Sequence, residues 1–139
     1  MRISTRSQYG LRAMIFLGKA NRICPLKEIS KKEGISFDYL EKIISKLEKA
    51  RLVEAKKGVQ GGYFLTQKPA KIKIGKVIRA LEGEINLVKC IGKKEKYLCP
   101  REKKCSTKNF WKKIQDTLNS ALDSLTLADL ILSKNEIKK

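Results

Sequence analysis

An apolar stripe at residues 40–47 limits the choice of fold more than any other part of the sequence. The stripe has the i, i+3, i+4, i+7 spacing of a helix that buries one side, and its members are Leu40, Ile43, Ile44 and Leu47. Ser36 precedes the stripe and is a good N-cap for this helix. The other side of the helix is polar, so one face of it is free for water or a partner.

A second, shorter helix comes just before this one. It is predicted to begin at Pro25 or Leu26, because proline is tolerated in the first turn of a helix, and to end near Glu33. Gly34 stops it, which leaves a turn of about three residues between the two helices. Two helices joined by a short glycine-containing turn are typical of a helix-turn-helix.

A basic hairpin is predicted directly after the second helix. Residues 51–67, RLVEAKKGVQGGYFLTQ, indicate a strand at 52–55, a glycine-rich tip and a strand at 63–66. The tip glycines are Gly58, Gly61 and Gly62. A hairpin in this place is a wing, so the sequence predicts a mainly α fold with a small β-hairpin, a winged helix-turn-helix.

Further helices are predicted on both sides of this unit. Residues 8–20 carry an apolar stripe made of Tyr9, Ala13, Leu17 and Ala20 beside Met14. Residues 74–83 form another amphipathic helix, which ends at Gly83. The predicted organisation is a winged helix-turn-helix domain at 1–83, a cysteine-containing loop at 84–106, a long dimerisation helix at 107–132 and a flexible tail at 133–139.

The predicted last helix has the pattern of a dimer interface. Its apolar residues step by 3, 4, 3 and 4, a two-heptad seam formed by Trp111, Ile114, Leu118, Ala121 and Leu125. A single seam-bearing helix beside a small domain is typical of a homodimer, and DNA-binding modules gain a second half-site by pairing. The alternative is that this helix packs only within its own chain.

Charge and composition restrict the function. The chain has 32 Lys and Arg against 14 Asp and Glu, a net charge of +18, which favours nucleic acid as a partner; a lysine-rich, thermophile-type surface is the alternative. The sequence has no histidine and no phosphate-binding glycine motif, so nothing indicates an enzyme. No apolar run approaches the roughly 20 residues of a membrane span, and the start is a poor signal peptide. We therefore expect a cytoplasmic protein that does not bind membranes.

Three of the four cysteines lie close together in sequence. Cys90, Cys99 and Cys105 have the spacing C-x8-C-x5-C, whereas Cys24 precedes the helix-turn-helix and is expected to be a small buried side chain. In a cytoplasmic protein such a group indicates metal or redox chemistry, and the surrounding lysines favour thiolates. From the residues alone, both iron–sulfur and zinc remain open; zinc would need Cys24 or a carboxylate as a further ligand.

Several stretches together resemble one known family. They are MRISTRSQYGLRAM, SFDYLEKIISKLEKARLV, KKGVQGGYFL, IRALEG, the three spaced cysteines and TLADL at residues 126–130. In these stretches the chain resembles the IscR/NsrR-type winged-helix transcriptional regulators, a family with cluster-free relatives of the cysteine-metabolism (CymR) type. The resemblance covers nearly the whole chain.

The resemblance implies a set of DNA contacts. Glu41 matches the family position that reads a base edge, where a carboxylate would accept a hydrogen bond from the amino group of cytosine. Lys57 stands where relatives often carry an arginine directed at the minor groove, and Tyr9 resembles a phosphate-contacting tyrosine. Arg2, Thr5 and Arg6 are added on charge grounds alone. The full predicted DNA-binding set is Arg2, Thr5, Arg6, Tyr9, Ser36, Asp38, Tyr39, Glu41, Lys42, Lys56, Lys57, Gly58, Gln60 and Tyr63.

The resemblance also implies an iron–sulfur cluster, 2Fe–2S or 4Fe–4S, bound by Cys90, Cys99 and Cys105. The histidine that 2Fe–2S members carry after the third cysteine is replaced here by Lys108, and the acidic residue of 4Fe–4S members is replaced by Gln8. The fourth ligand therefore stays open among Gln8, Glu95, Glu102, a small molecule and water.

The predicted function is a homodimeric transcriptional regulator, a repressor by family expectation. It would sense cluster status, redox state or nitric oxide and bind a double-stranded operator. The alternatives are a cluster-free regulator controlled by thiol redox or a protein partner, and a basic protein that coats RNA or DNA without sequence preference.

Overall fold

A computed structural model describes residues 2–92 and 99–132 of the chain. The tail predicted at 133–139 and part of the predicted cysteine loop lie outside these residues. The described helices and strands are α1 (Thr5–Ala20), α2 (Leu26–Glu33), α3 (Phe37–Lys49), β1 (Val53–Lys56), β2 (Gly62–Leu65), α4 (Ile74–Glu82), α5 (Lys108–Ser124) and α6 (Leu127–Leu132). Three short 3-10 turns lie at Pro69–Lys71, Lys89–Ile91 and Glu102–Lys104. This order confirms the predicted mainly α fold with a small hairpin.

The turn between α2 and α3 forms as the sequence predicts. Gly34 has a φ of 65°, in the left-handed region that glycine adopts without strain, and its N–H bonds to Ser30 at the end of α2. The Ser36 hydroxyl accepts from the backbone N–H of Tyr39 at 3.3 Å and so caps α3. The four residues of the predicted stripe, Leu40, Ile43, Ile44 and Leu47, are all completely buried.

The hairpin is displaced slightly from its predicted bounds. Strands β1 and β2 pair antiparallel with Val53 opposite Leu65, and Gly62 belongs to the strand rather than to the tip. A glycine is needed in the strand here because its backbone packs closely against the segment before α2. A Cβ on Gly62 would lie 2.3 Å from the carbonyl oxygen of Cys24. The backbones of Cys24 and Tyr63 exchange two hydrogen bonds of 2.9 Å, which extends the hairpin sideways onto the segment before α2.

Helix α1 begins at Thr5, three residues earlier than the predicted start at residue 8. Ser4 is its N-cap, and Glu82 at the end of α4 accepts hydrogen bonds from the Ser4 N–H at 2.9 Å, from the Ser4 hydroxyl and from the Ser7 hydroxyl at 2.6 Å. These bonds, Ser4 first and then Ser7, hold the pKa of the Glu82 carboxyl below its ordinary value. The start of α1 is therefore fixed by the end of α4.

The prediction of one continuous helix over 107–132 is wrong. Helix α5 ends at Ser124, Leu125 is extended, and α6 begins at Leu127. Thr126 and Asp129 form a reciprocal cap, in which the Thr126 N–H donates to the Asp129 carboxylate at 2.9 Å and the Asp129 N–H donates to the Thr126 hydroxyl at 3.3 Å. The break turns the chain back onto the core, where Leu127 is completely buried.

The core lies between α1, α3 and α4, with contributions from the hairpin and α6. Its fully buried large side chains include Met14, Ile29, Leu40, Ile43, Ile44, Leu47, Leu52, Leu81 and Leu127. None of the helices in the two described stretches has the length and apolar character needed to cross a membrane.

The Glu82 cluster predicts a measurable loss of stability in Glu82→Gln. An amide cannot accept three hydrogen bonds as a carboxylate does, so we expect the free energy of unfolding to fall by about 1–2 kcal/mol at pH 7. Because the folded-state pKa is lowered, the contribution is present above the ordinary carboxyl pKa of about 4.3 and is lost as the pH falls through the folded-state value.

Urea denaturation at pH 7 and in acid measures this difference. Glu54→Gln is the matched control, because Glu54 is an exposed carboxylate on β1. A Glu82→Gln midpoint equal to that of the control at pH 7 would contradict the proposed anchoring of α1.

Candidate nucleic-acid interface and cysteine segment

The outer face of α3 is open to solvent. Ser36, Asp38, Glu41 and Lys42 are exposed, and Tyr39 is half-buried. This follows from the one-sided burial of the stripe, which fixes the helix on the core and leaves the first turns of its other face free. An α-helix with an exposed polar face of this kind is narrow enough to enter the major groove of DNA.

Two tyrosines join the start of α1 to α3. The rings of Tyr9 and Tyr39 meet edge to face, with centroids 5.9 Å apart and an interplanar angle of 90°. The guanidinium of Arg12 lies over the Tyr9 ring, 5.4 Å from its centroid, and also approaches the carboxylate of Glu33 on α2 at 3.8 Å. The prediction did not include Arg12, although its i+3 spacing from Tyr9 could have indicated the contact.

The N-terminal residues of the predicted set lie beside this pair. Arg2 and Thr5 are exposed, and Arg6 is half-buried. The Arg6 Nε is the one buried side-chain nitrogen or oxygen, among the residues described, that has no hydrogen-bond partner. Arg6 also contributes to the low pKa of Glu82, after the hydrogen bonds from Ser4 and Ser7.

The wing presents its basic residues at an exposed tip. Lys56, Lys57, Gly58 and Gln60 are all exposed, and Gly58 has a φ of 115° that a side chain would strain. Tyr63 differs from them, because it is half-buried on β2 and packs against the core. Burial raises the pKa of Tyr63, with a further contribution from the carboxylates of Glu48 and Glu41.

The contacts of the hairpin with α1 and α3 locate the wing. Helix α3 packs against β1, and α1 packs against both α3 and β2. The structure thus brings together α3, the start of α1 and the base of the wing. The exposed members of the predicted DNA-binding set lie on these elements, while its three tyrosines, Tyr9, Tyr39 and Tyr63, are half-buried against the core.

Cys24 is separate from the other cysteines. It is completely buried among the core residues, its backbone pairs with Tyr63, and its Sγ lies 3.5 Å from a guanidinium nitrogen of Arg22. Burial raises the pKa of the Cys24 thiol, which keeps it protonated. The expectation of a small buried side chain therefore agrees with the structure, and among residues 2–92 and 99–132 Cys24 belongs to no group of side chains that could hold zinc.

The remaining thiols differ in exposure. Cys90 and Cys99 are half-buried, and Cys105 is exposed. The Cys105 sulfur lies 3.3 Å from the Thr107 hydroxyl, a hydrogen bond that lowers the pKa of this thiol. Among residues 2–92 and 99–132, no three His, Cys, Asp or Glu side chains are grouped closely enough to hold a metal ion.

Lys108 connects two of these thiols electrostatically. Its ammonium donates to the Glu102 carboxylate at 2.8 Å. This hydrogen bond is the main cause of the raised pKa of Lys108, and the nearby thiols Cys90 and Cys105 add smaller contributions. The cation that replaces the family histidine is thus itself paired with an acid.

The candidates for a fourth ligand are engaged elsewhere or lie outside the described residues. Glu102 is bound to Lys108, and the Gln8 amide donates to the Ile3 carbonyl at 3.2 Å. Glu95 belongs to the segment that the structure does not describe.

The segment that leads to Cys90 is attached to α5. The backbone N–H of Leu87 donates to the side-chain oxygen of Gln115 at 2.9 Å. Sequence reasoning missed Gln115, because an isolated glutamine on a predicted helix gives no signal of a contact 28 residues away.

The predicted seam on α5 stays largely exposed in the part of the chain that the structure describes. Trp111, Ile114, Ala121 and Leu125 are exposed and Leu118 is half-buried, with Leu125 now in the break rather than in the helix. Phe110 is also exposed and contacts Trp111 edge to face, with centroids 4.9 Å apart. Exposed large apolar side chains in one row are typical of an interaction surface.

Comparison with known proteins identifies the family. The Rrf2 profile, described as an iron-dependent transcriptional regulator, matches residues 3–133. The HTH-type transcriptional regulator IscR of Aliivibrio salmonicida (strain LFI1238) is 35% identical over 141 aligned positions, which cover 100% of this chain and 82% of that protein.

Solved structures give the same result. The structure of T. potens IscR has a TM-score of 0.77 at 35% identity and covers 100% of this chain and 92% of that one. The structure of CymR, the global cysteine regulator of B. subtilis, has a TM-score of 0.74 at 38% identity and covers 94% of this chain and 96% of that one. These relatives are regulators rather than enzymes, as the sequence predicts. The chain belongs to the Rrf2 family of transcriptional regulators.

Proposed function

We propose that this chain binds an operator as a homodimer, with α3 in the major groove and the wing against the neighbouring groove. The observation that carries the proposal is the contact between Tyr9 and Tyr39, because it joins the exposed face of α3 to the start of α1 in one surface. Basic side chains from α1, α3 and the wing would contact phosphates, and Glu41 would read a base edge. A DNA-binding regulator acts in the cytoplasm, so the cytoplasmic location is part of this proposal.

The homodimer is proposed from the exposed seam on α5. Two copies that pair along Trp111, Ile114 and Leu118 would cover apolar surface that one chain leaves in water. Pairing through α5 would also place two α3 helices at a fixed separation, as two half-sites about 34–36 Å apart require. The proposal keeps the predicted division into a winged helix-turn-helix domain at 1–83, which we call the reading domain, a cysteine loop at 84–106 and a dimerisation segment at 107–132. The dimerisation segment now includes the break at Leu125.

We also propose that Cys90, Cys99 and Cys105 hold an iron–sulfur cluster. The chemistry of the donors fits, since Cys105 has a lowered pKa and the segment is rich in cations that compensate thiolate charge. The sulfurs are not grouped in this structure, so binding requires the segment between Cys90 and Cys105 to close around the cluster. When bound, such a cluster supplies redox and nitric-oxide chemistry, and its gain or loss would shift the dimer between two arrangements.

A cluster-free regulator is the second candidate. The ungrouped thiols and the similarity to CymR at 38% identity favour it. In that case the exposed, low-pKa Cys105 would be the first thiol to react with an oxidant.

Lys57→Ala tests the wing contact. Removing one phosphate or groove contact should weaken operator binding and lower the slope of log K against log salt by about one unit. Fluorescence anisotropy from 50 to 300 mM salt, on duplexes selected from a random pool by the wild-type protein, measures the slope.

Lys71→Ala is the matched control for Lys57→Ala. Lys71 is an exposed lysine next to Pro69, where the far end of α1 packs. An unchanged slope in Lys57→Ala would remove the wing from the interface. Equal affinity for operator and random duplexes in the wild type would instead indicate a coating protein.

Glu41→Ala tests base reading by α3. We expect discrimination at one base pair to fall by about 1–3 kcal/mol, because the acceptor for the cytosine amino group is lost. Competition binding with the four single-base variants of each operator position gives this value. Glu48→Ala, near the other end of the same exposed helix face, should leave the preference intact; the same preference in Glu41→Ala would contradict direct reading by this residue.

Anaerobic purification tests the cluster. The wild-type protein should be brown and contain iron and acid-labile sulfide in similar amounts, and Cys99→Ala should lose both because one of three thiolate ligands is gone. Cys24→Ala should retain both, since Cys24 lies in the core. A colourless wild-type protein that still binds its operator would support the cluster-free regulator instead.

A further inference from the structure

An arginine on α4 holds α5 by several hydrogen bonds at once. The Arg79 guanidinium donates to the two carboxylate oxygens of Asp123 at 2.8 and 3.1 Å and to the side-chain oxygen of Asn119 at 2.9 Å. Asn119 and Asp123 are one helical turn apart, so the planar guanidinium contacts α5 at two points along its axis. We call these three residues the Arg79 clasp.

Gly75 leaves the space that the side chains of the clasp occupy. A Cβ at this buried position would lie 2.1 Å from a carboxylate oxygen of Asp123 and 2.8 Å from the Arg79 guanidinium. Any side chain at Gly75 would therefore push Asp123 out of the clasp. The glycine is needed here for space.

The C-terminal end of α5 is a fixed point. The Leu125 carbonyl accepts from the Ile74 N–H at 2.9 Å, and the Leu127 N–H donates to the Ile72 carbonyl at 2.8 Å. Leu122 packs against the core just before this point, and Leu127 is buried beyond it. From here α5 extends toward Lys108, with its exposed seam on the way.

The joint between α4 and α5 beyond this fixed point is polar. A cavity of about 510 Å3 opens beside the clasp, and the side chains around it include Glu84, Asn86, Gln115, Asn119 and Asp123. The hydrogen bonds of the clasp are directional, so they restrict the angle of this joint in addition to the apolar contacts of Ile85 and Leu122 with the core. The partly exposed ion pair contributes little to global stability, which leaves orientation as its main effect.

We infer that the Arg79 clasp fixes the angle between α5 and the reading domain and thereby selects the spacing between the two DNA half-sites. This inference rests on the proposed homodimer. Helix α5 has 17 residues and is about 25 Å long, so a rotation of about 10° at its fixed end moves the other end by about 4 Å. That displacement is about one base-pair step of 3.4 Å, so a loose joint would admit neighbouring spacings. Arg79 is a positioning residue in this proposal, because it acts through α5 and not on DNA.

The test measures affinity as a function of half-site spacing. Half-sites are first selected from random duplexes with the wild-type protein, and the spacing is then changed by one and two base pairs in each direction. We expect the wild type to lose about tenfold in affinity at one base pair from its optimum, and Arg79→Gln to lose only about twofold while it remains dimeric by sedimentation. Gly75→Ala retains both Arg79 and Asp123, and it should make the affinity depend less on half-site spacing in the same way.

Two further variants separate positioning from a general structural role. Lys76→Gln, an exposed residue on the same helix, should keep the wild-type profile. Exchanging the charges in Arg79→Asp with Asp123→Arg should restore much of the spacing preference that Arg79→Asp alone removes. If Arg79→Gln does not fold, Gly75→Ala and Asp123→Asn decide the question by the same profiles.

The outcomes distinguish this inference from the proposed function. Folded, dimeric clasp variants that keep the wild-type spacing profile overturn the inference and leave the proposed function intact. A flattened profile in Lys76→Gln also overturns it, because the effect would not be specific to the clasp. A wild-type protein that is monomeric, or that selects no paired half-sites, overturns the inference together with the proposed homodimer.

Discussion

The complete burial of one side of α3 is the interaction on which the rest of the structure depends. Ile43 and Ile44 sit in the core together with α1 and α4, and nothing of them reaches solvent. The approach of α1 is close, because a Cβ on Gly10 would lie 2.3 Å from Leu81 and 3.4 Å from Ile43. Because these three helices are packed tightly, the polar side of α3 must face solvent. The side chains proposed to contact DNA are therefore held in place by the core.

Helix α4 connects the three parts of the chain that the proposed function needs. Its last residue, Glu82, fixes the start of α1, and Arg79 one turn earlier holds α5. The chain that leaves α4 bonds through Leu87 to Gln115 on α5 before it reaches Cys90. The hydrogen bond between Leu87 and Gln115 therefore gives a change in the cysteine segment a short path to the joint between the reading domain and the seam.

The sequence predicts local features of this fold well. The stripe of α3, the Gly34 turn and the Ser36 cap depend on residues that are close in the chain, so pattern and capping rules are sufficient. The start of α1 was missed because the partner that secures its cap, Glu82, is 78 residues from Ser4. The break at Leu125 was missed because the seam continues through it in sequence, while the bonds to Ile72 and Ile74 that open the helix come from another part of the chain.

Some features of the candidate site also follow from the local sequence, and others depend on tertiary contacts. The exposed positions on α3 and the wing follow from helix and hairpin periodicity, whereas the position of Tyr63 partly in the core follows from its pairing with Cys24. The contact of Arg12 with Tyr9 lies within α1 and is local, whereas the role of Gln115 beside the cysteine segment depends on a tertiary contact. The spacing of Cys90, Cys99 and Cys105 identifies donors but not their convergence, because convergence is set by the path of the intervening chain.

The two proposals for the cysteines act on the same joint. A cluster would bring Cys90, Cys99 and Cys105 together, and a disulfide between two of these thiols would do the same for that pair. In either case the Lys108–Glu102 pair would have to adjust, because the two residues stand three positions on either side of Cys105. Gln115 holds the segment before Cys90 on α5 and also lines the cavity beside the Arg79 clasp. Cluster binding and thiol oxidation would therefore both change the surroundings of the clasp. The identity of the signal and the way it reaches the DNA-reading helices are thus separate questions, and the geometry of α4 and α5 bears on the second.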